Sequence, residues 1–326
     1  MSAANELDVL CVGNAIVDVL AHADDAFLNT HSLAKGAMTL INAETAERLY
    51  AQMGPGIECS GGSAGNTAAG IASLGGRAGY VGKVAKDQLG QVFTHDIRAM
   101  GVEYQTPPLE GGAPTARCLI MVTPDAQRTM NTYLGACVAL GLNDIDPEQI
   151  DRAQVTYFEG YLWDAPAPRD AIRKAIRIAK ANGRKVALTL SDSFCVDRYR
   201  DEFQELIEAS VDILFANESE IESLYETKDF DTALAAVKGK CPIAVLTRSA
   251  RGSVVVTSDA VQPVPAAAVD RVVDTTGAGD LYASGFLYGF THGRPLAECA
   301  RLGGVAAAEI ISHVGARPEV PLRTLI

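Results

Sequence analysis

Residues 166–191, PAPRDAIRKAIRIAKANGRKVALTLS, carry two structural periods in succession. Pro168 stands near the start, and Ile172, Ile176 and Ala179 recur on one helical face. Gly183 follows just past the end, so the segment reads as a helix opened by proline and closed by glycine. KVALTLS, which comes next, is an apolar run of strand length. Working outward, DRYRDEFQELIEAS (197–210) repeats the helical period, VDILFAN (211–217) the strand, and CPIAVLT and GSVVVTS (241–258) add further strands. Parallel neighbours need a return path and helices supply it, so from about residue 136 onward the chain is α/β with a mostly parallel sheet.

The amino-terminal part reads differently. ELDVLCVG (6–13) is a continuous apolar run suited to a buried strand, but IVDVLAHA, KGAMTLIN, PTARCLIMVT and RTMNTYL alternate more and lack helices between them. These segments predict a small β-sheet lid contributed by residues 15–46 and 104–135. Residues 1–14, 47–103 and 136–326 then form the α/β core. An irregular edge of the main sheet is the alternative reading of the same segments.

Bulk properties narrow the function. Lys and Arg total 28 against 40 Asp and Glu, a net charge of −12 with no basic block. Broad attraction to nucleic acid is excluded, and an anionic ligand requires a local positive field. The seven cysteines are scattered and show no CxxC spacing, as in reduced core thiols of a cytoplasmic protein. The five histidines form no zinc signature. The chain opens without the basic-then-apolar pattern of an export signal, and no run reaches the roughly 18 apolar residues of a membrane span.

That local field is predicted in DTTGAGDLYASGFL (274–287). Tyr282, Gly285, Phe286, Gly289 and Phe290 recur at helical spacing, so the glycines precede a helix whose first-turn N–H groups lack partners. Gly277, Ala278 and Gly279 let an anion approach the amides of Ala278, Gly279 and Asp280. Asp280 tilts toward the same spot and can accept a hydroxyl proton. An acid in a helix's first turn is also a common charge–dipole pair, so this stretch alone leaves its purpose open. A second one, SGGSAGNTAAGIASLGG (60–76), repeats the design with Asn66 in the opening turns and Gly75–Gly76 at the end. Two such helix starts can converge on one ligand. Neither is a better-known phosphate loop: Arg77 stands five residues before Gly82–Lys83, which rules out GxxxxGK[ST], and the first strand ends GNAIVD rather than GxGxxG.

Together the two stretches resemble both signatures of the ribokinase/PfkB carbohydrate and nucleoside kinase family. Within it the likeness is greatest to adenosine kinases, through GNAIVD (13–18), SGGSAGN and VDILFANESE (211–220), and it extends from Asp8 to about Pro318. The resemblance implies a ribokinase-like α/β fold with an inserted lid, and transfer of the γ-phosphoryl group of ATP to the 5′-hydroxyl of a nucleoside. It makes Asp280 the base and Gly277–Gly279 the anion hole. It puts Asn14, Asp18, Gly62, Ser63 and Asn66 around the sugar, and Arg128 of the lid at the phosphates. Asn217 and Glu220 match an N-x-x-E motif that organises Mg²⁺ through water; a helix N-cap followed by an acid is the plain alternative. ATP is expected along Thr247 to Gly252 and beside Ala307, and a monovalent cation such as K⁺ near the Asp274 turn. One departure concerns YFEGYLWDAP (157–166): Tyr161, Leu162 and Trp163 stand where adenosine kinases place two aromatics that sandwich the base. A sugar kinase of the same family and a non-catalytic ligand-binding regulator, monomeric or homodimeric, therefore remain the competing readings.

Overall fold

The computed structural model describes residues 6–125 and 127–326; the first five residues and position 126 lie outside it. Its strands run in chain order as β1 (Leu7–Val12), β2 (Ile16–His22), β3 (Met38–Leu40), β4 (Gly56–Ser60), β5 (Ala78–Val81), β6 (Glu103–Tyr104) and β7 (Ala116–Val122). They continue as β8 (Arg128–Tyr133), β9 (Ala153–Glu159), β10 (Lys185–Thr189), β11 (Ile213–Asn217), β12 (Ile243–Thr247), β13 (Ser253–Val256) and β14 (Val261–Val264). Nine strands form one sheet in the order β14-β13-β12-β11-β10-β9-β1-β5-β6. Pairing is parallel from β12 through β6, as expected, and antiparallel at β12–β13–β14. The reversal follows from the short connection after β12. Arg248 N donates to Gly252 O at 2.7 Å and Gly252 adopts φ +81°, leaving no room for a crossover helix.

Helices cover both faces of this sheet, and the apolar run in β1 is the consequence. Leu10 and Val12 pack on one side with the Pro166–Ala181 and Ser193–Ser210 helices; Val9 and Cys11 pack on the other with the Ser63–Ser73, Gln88–Ala99 and Ala278–Thr291 helices. The Ser63–Ser73 and Ala278–Thr291 helices lie close together. A Cβ on Gly70 would fall 2.4 Å from Ser284 Oγ, and one on Gly285 2.4 Å from Leu302 O in the neighbouring Leu296–Ile310 helix. All seven cysteines are unpaired. Among the described residues no helix is long and apolar enough to cross a membrane.

The second sheet has the order β3-β8-β7-β2-β4. It differs from the sequence division in two respects. β4, placed in the core by that division, is the edge partner of β2, with Asp18 opposite Cys59. Two helices, Asp25–Thr30 and Ala43–Tyr50, interrupt a region read as helix-free. Each begins at a side-chain cap: Asp24 accepts from Phe27 N and Asn42 from Thr45 N, both at 2.8 Å.

The close helix contact at Gly285 gives a stability prediction. Gly285→Ala pushes a methyl group into the Leu302 carbonyl, and the expected loss is about 1–3 kcal/mol by urea denaturation, the usual cost of overpacking; unchanged stability would contradict this packing.

Candidate active site

Gly277 caps the Ala278–Thr291 helix in the left-handed conformation, φ +76°, and a Cβ there would approach Ala316 Cβ to 2.9 Å. The turn so formed uses one of the amides expected to face an anion: Ala278 N donates to Thr275 O at 3.2 Å. The N–H groups of Gly277, Gly279 and Asp280 have no such partner among the described residues, so the turn offers open main-chain donors, from a slightly different set than expected.

Asp280 stands at this turn with both carboxylate oxygens engaged from the facing helix. Ser63 Oγ donates to Oδ1 at 2.6 Å and Asn66 Nδ2 to Oδ2 at 2.8 Å. Burial pushes the Asp280 carboxyl up, opposed by these two hydrogen bonds and by the nearby charge of Arg317. The result is an acceptor fixed in direction, with the glycine-rich starts of two helices converging on it.

Asp18 reaches the same region from β2. Its carboxylate lies over Gly61, where a Cβ would sit 2.3 Å from Oδ2, and Gly62 takes φ +82° with no room for a side chain against Asn14 O. This close approach explains the Gly61–Gly62 pair. Burial raises the Asp18 carboxyl to about 6; Arg317 and Arg128 pull it down, while Asp280 adds to the rise.

Asn14 is buried and oriented by Glu159, a residue whose role the sequence reading did not assign. The Glu159 carboxylate accepts from Asn14 N, Asn14 Nδ2 and Ala64 N, each at 2.8 Å. It thereby ties the turn after β1 to the start of the Ser63–Ser73 helix. With one Nδ2 hydrogen committed, Asn14 keeps Oδ1 and the second Nδ2 hydrogen for a ligand. Burial lifts the Glu159 carboxyl to about 7 against the pull of these donors. One signal was visible: an acid directly after the bulky Tyr157–Phe158 pair at the end of a strand-like run.

A cavity of about 440 Å³ opens beside Asp280. Gly62, Ser63, Asn66, Gly277, Ala278 and Gly279 line it together with Asn217, Glu220 and Thr247. Asn217 and Glu220 form a reciprocal capping box: Asn217 Oδ1 accepts from Glu220 N at 2.9 Å, and the Glu220 carboxylate accepts from Asn217 N and Nδ2. Burial raises the Glu220 carboxyl to about 7. Gly252 and Ala307 are not among the cavity-lining residues; Gly252 closes the β12–β13 turn, and Ala307 packs against the core from the Leu296–Ile310 helix.

Two further expectations meet a different geometry. Arg128, at the start of β8, pairs with Asp274 Oδ2 at 2.6 Å, both side chains being less than a tenth exposed; it does not line the cavity, although the next inward residue of its strand, Met130, does. The reason is a carboxylate at the first position of the DTTGAGD turn, which offers the guanidinium a buried partner. In the aromatic segment, Leu162 and Trp163 turn into the core, where Trp163 packs on Phe203 and donates Nε1–H to Glu202. Tyr161 alone of the three lines the cavity.

Comparison with known proteins fixes the family. Residues 57–323 match the model of the pfkB family carbohydrate kinases. The chain belongs to that family. It is a kinase that acts on an alcohol group, and its fold recurs in solved family members. The crystal structure of adenosine kinase from Sinorhizobium meliloti is 59% identical, superposes with a TM-score of 0.93, and is matched over 99% of this chain and 98% of that one. Adenosine kinase from Schistosoma mansoni in complex with 2-fluoroadenosine is 25% identical with a TM-score of 0.84, over 97% of this chain and 98% of that one. Among curated relatives, the adenosine kinase of Saccharomyces cerevisiae is 28% identical over 96% of each chain.

Glu159→Gln tests the tie between Asn14 and the Ser63 helix. A glutamine leaves at least one of the three buried N–H donors without an acceptor, an expected loss of about 1–3 kcal/mol at neutral pH. The folded-state carboxyl titrates near 7 rather than in the ordinary range near 4.5. The native protein therefore holds a proton that the unfolded chain has released, and this group's contribution makes stability fall as pH rises through that window. Urea titrations across it should flatten in the variant; an unaltered slope would remove Glu159 from this account.

Proposed function

We propose that this chain transfers the γ-phosphoryl group of ATP to the 5′-hydroxyl of a nucleoside, with adenosine as the acceptor, in the cytoplasm and as a monomer or homodimer. The observation that carries the reading is the fixation of Asp280 by Ser63 and Asn66 beside unpartnered helix-start amides. The 59% identity to the Sinorhizobium meliloti adenosine kinase favours a nucleoside over a free sugar.

In this mechanism Asp18 accepts hydrogen bonds from two neighbouring ribose hydroxyls, and Asn14 accepts a further one through Oδ1. The sugar's primary hydroxyl then lies toward Asp280. Asp280 Oδ1 and Oδ2 cannot rotate away from their donors, so the proton leaving the hydroxyl meets an acceptor already in place. As the phosphoryl group passes in line between the two oxygens, the amides of Gly277, Gly279 and Asp280 meet its equatorial charge. Arg128 joins them if it exchanges Asp274 for a phosphate oxygen when the small sheet closes. ATP is assigned to the part of the cavity that Asn217 and Thr247 line, with Gly252 and Ala307 acting only through the turn and the helix that carry them.

Mg²⁺ fits Asn217 and Glu220 through water rather than directly. Asn217 Oδ1 already accepts from Ser219 Oγ and Glu220 N, whereas each Glu220 oxygen accepts from Asn217 alone and retains a lone pair. When bound with ATP, the ion supplies neutralisation of the β- and γ-phosphate oxygens. No step is routed through a monovalent cation.

Asp280→Asn should lower kcat by about 10²–10⁴-fold with ATP binding preserved in calorimetry; near-normal turnover sinks the assignment. A panel of adenosine, inosine, guanosine, ribose and fructose under Mg·ATP reads the acceptor directly. Adenosine should give the highest kcat/KM, and preference for a free sugar would overturn the nucleoside reading. For the preferred acceptor, kcat/KM should fall as pH drops through about 6, because Asp18 accepts hydroxyl protons only when ionised.

A further inference from the structure

The carboxylates of the acceptor site are crowded. Asp280 raises the carboxyls of Asp18, Glu159 and Glu220 through space, and all four are buried to some degree in one region of a chain of net charge −12. Such a cluster requires a fixed positive charge or it takes up protons.

Arg317 stands at this place. It belongs to the segment that follows the Leu296–Ile310 helix, and its guanidinium is held by acceptors on three sides: Nε donates to Ser60 O at 3.0 Å, Nη1 to Gly65 O at 2.6 Å and Nη2 to Ser60 Oγ at 2.9 Å. Those partners are neutral. No carboxylate within ion-pair distance neutralises it among the described residues, in contrast to Arg128, which is spent on Asp274. The segment itself is fastened to the anion-binding turn, since Gly315 N donates to Asp274 Oδ2 at 2.9 Å and Ala316 abuts Gly277.

We propose that Arg317 is a positioning residue of the phosphoryl-transfer reaction: a rigid, unneutralised cation that offsets the charge of Asp18 and Asp280 and so keeps both carboxylates able to accept hydroxyl protons. The proposal rests on the kinase reading above. Its charge lowers the carboxyls of both Asp18 and Asp280. Around Asp18 the other charged or titratable groups are Arg128 from β8, Asp280, and the thiols of Cys59 from β4 and Cys118 from β7. Around Asp280 stand Glu159 from β9, Glu220 from the helix after β11, and the hydroxyls of Tyr157 and Tyr161. Arg317 itself faces Asp96 from the Gln88–Ala99 helix, Cys59 from β4 and Tyr80 from β5. Asp96 is engaged in its own contact with Ser60 N at 2.7 Å. A lysine could supply the charge but not the three-sided grip, because only the guanidinium fork spans Ser60 and Gly65 together.

The test compares Arg317→Gln, which keeps amide donors but removes the charge, with Arg317→Lys, which keeps the charge but loses the fork. The readout is the pH profile of kcat/KM for adenosine under saturating Mg·ATP. In the Gln variant the acidic limb should move to higher pH by about one unit, with kcat/KM falling about threefold at pH 6.5 and approaching about tenfold at pH 5. In the Lys variant the limb should stay where the unaltered enzyme has it, whatever the change in height. Coincident limbs in the Gln variant and the unaltered enzyme, or equal displacement in both variants, would overturn the proposal. So would failure of the Gln variant to fold by circular dichroism, which would assign Arg317 to the scaffold. Absence of turnover in the unaltered enzyme overturns the functional reading and this inference with it, whereas an unmoved limb overturns the inference alone.

Discussion

The packing of the Ser63–Ser73 helix on the Ala278–Thr291 helix is the constraint from which the site follows. Helices meet this closely only where side chains are nearly absent, and Gly70 against Ser284 supplies that condition. The contact sets the two amino-terminal turns side by side, so that Ser63 and Asn66 of one helix reach the carboxylate of the other. The start of the Ala278–Thr291 helix also leaves main-chain donors without partners beside the cavity. A phosphate and an alcohol can thus be gathered by groups more than two hundred residues apart in sequence without any long side chain bridging the gap.

Charge is the second organising element. The protein concentrates Asp18, Glu159, Glu220 and Asp280 in one buried region and answers with two arginines of different status. Arg128 is paired with Asp274 of the turn it approaches. Arg317 is bound only to neutral oxygens. Paired and unpaired positive charge therefore face the same cluster, one from β8 and one from the carboxy-terminal segment.

What the sequence disclosed was local. Glycines before a helical period, an acid in the first turn, an asparagine three residues ahead of a glutamate and the alternation of helix and strand are all read within a dozen residues, and the class of fold and the place of Asp280 followed from them. The missing pieces depend on distant encounters. Arg317 meets Ser60 across 257 positions, and nothing in GARPE marks it. The family resemblance put Arg128 at the phosphates; its pairing with Asp274, 146 positions on and legible only as part of a turn, stayed hidden. β4 was too short and too polar to be separated from the glycine-rich stretch that follows, so its pairing with β2 stayed hidden. The N-x-x-E pair shows the converse: both the plain capping role and the cavity-lining position were legible, and the geometry holds them at once.

The inward turn of Trp163 has an optical consequence. It is the single indole of the chain, enclosed against Phe203 and bonded to Glu202 in the layer of helices on the face opposite the Ala278 helix. Excited selectively, it emits from the interior of the scaffold, so its wavelength follows solvent entry into that layer as the protein unfolds. The same spectrum is a poor gauge of whether the cavity is filled, and an occupancy assay has to draw on the tyrosine or on the ligand's own chromophore.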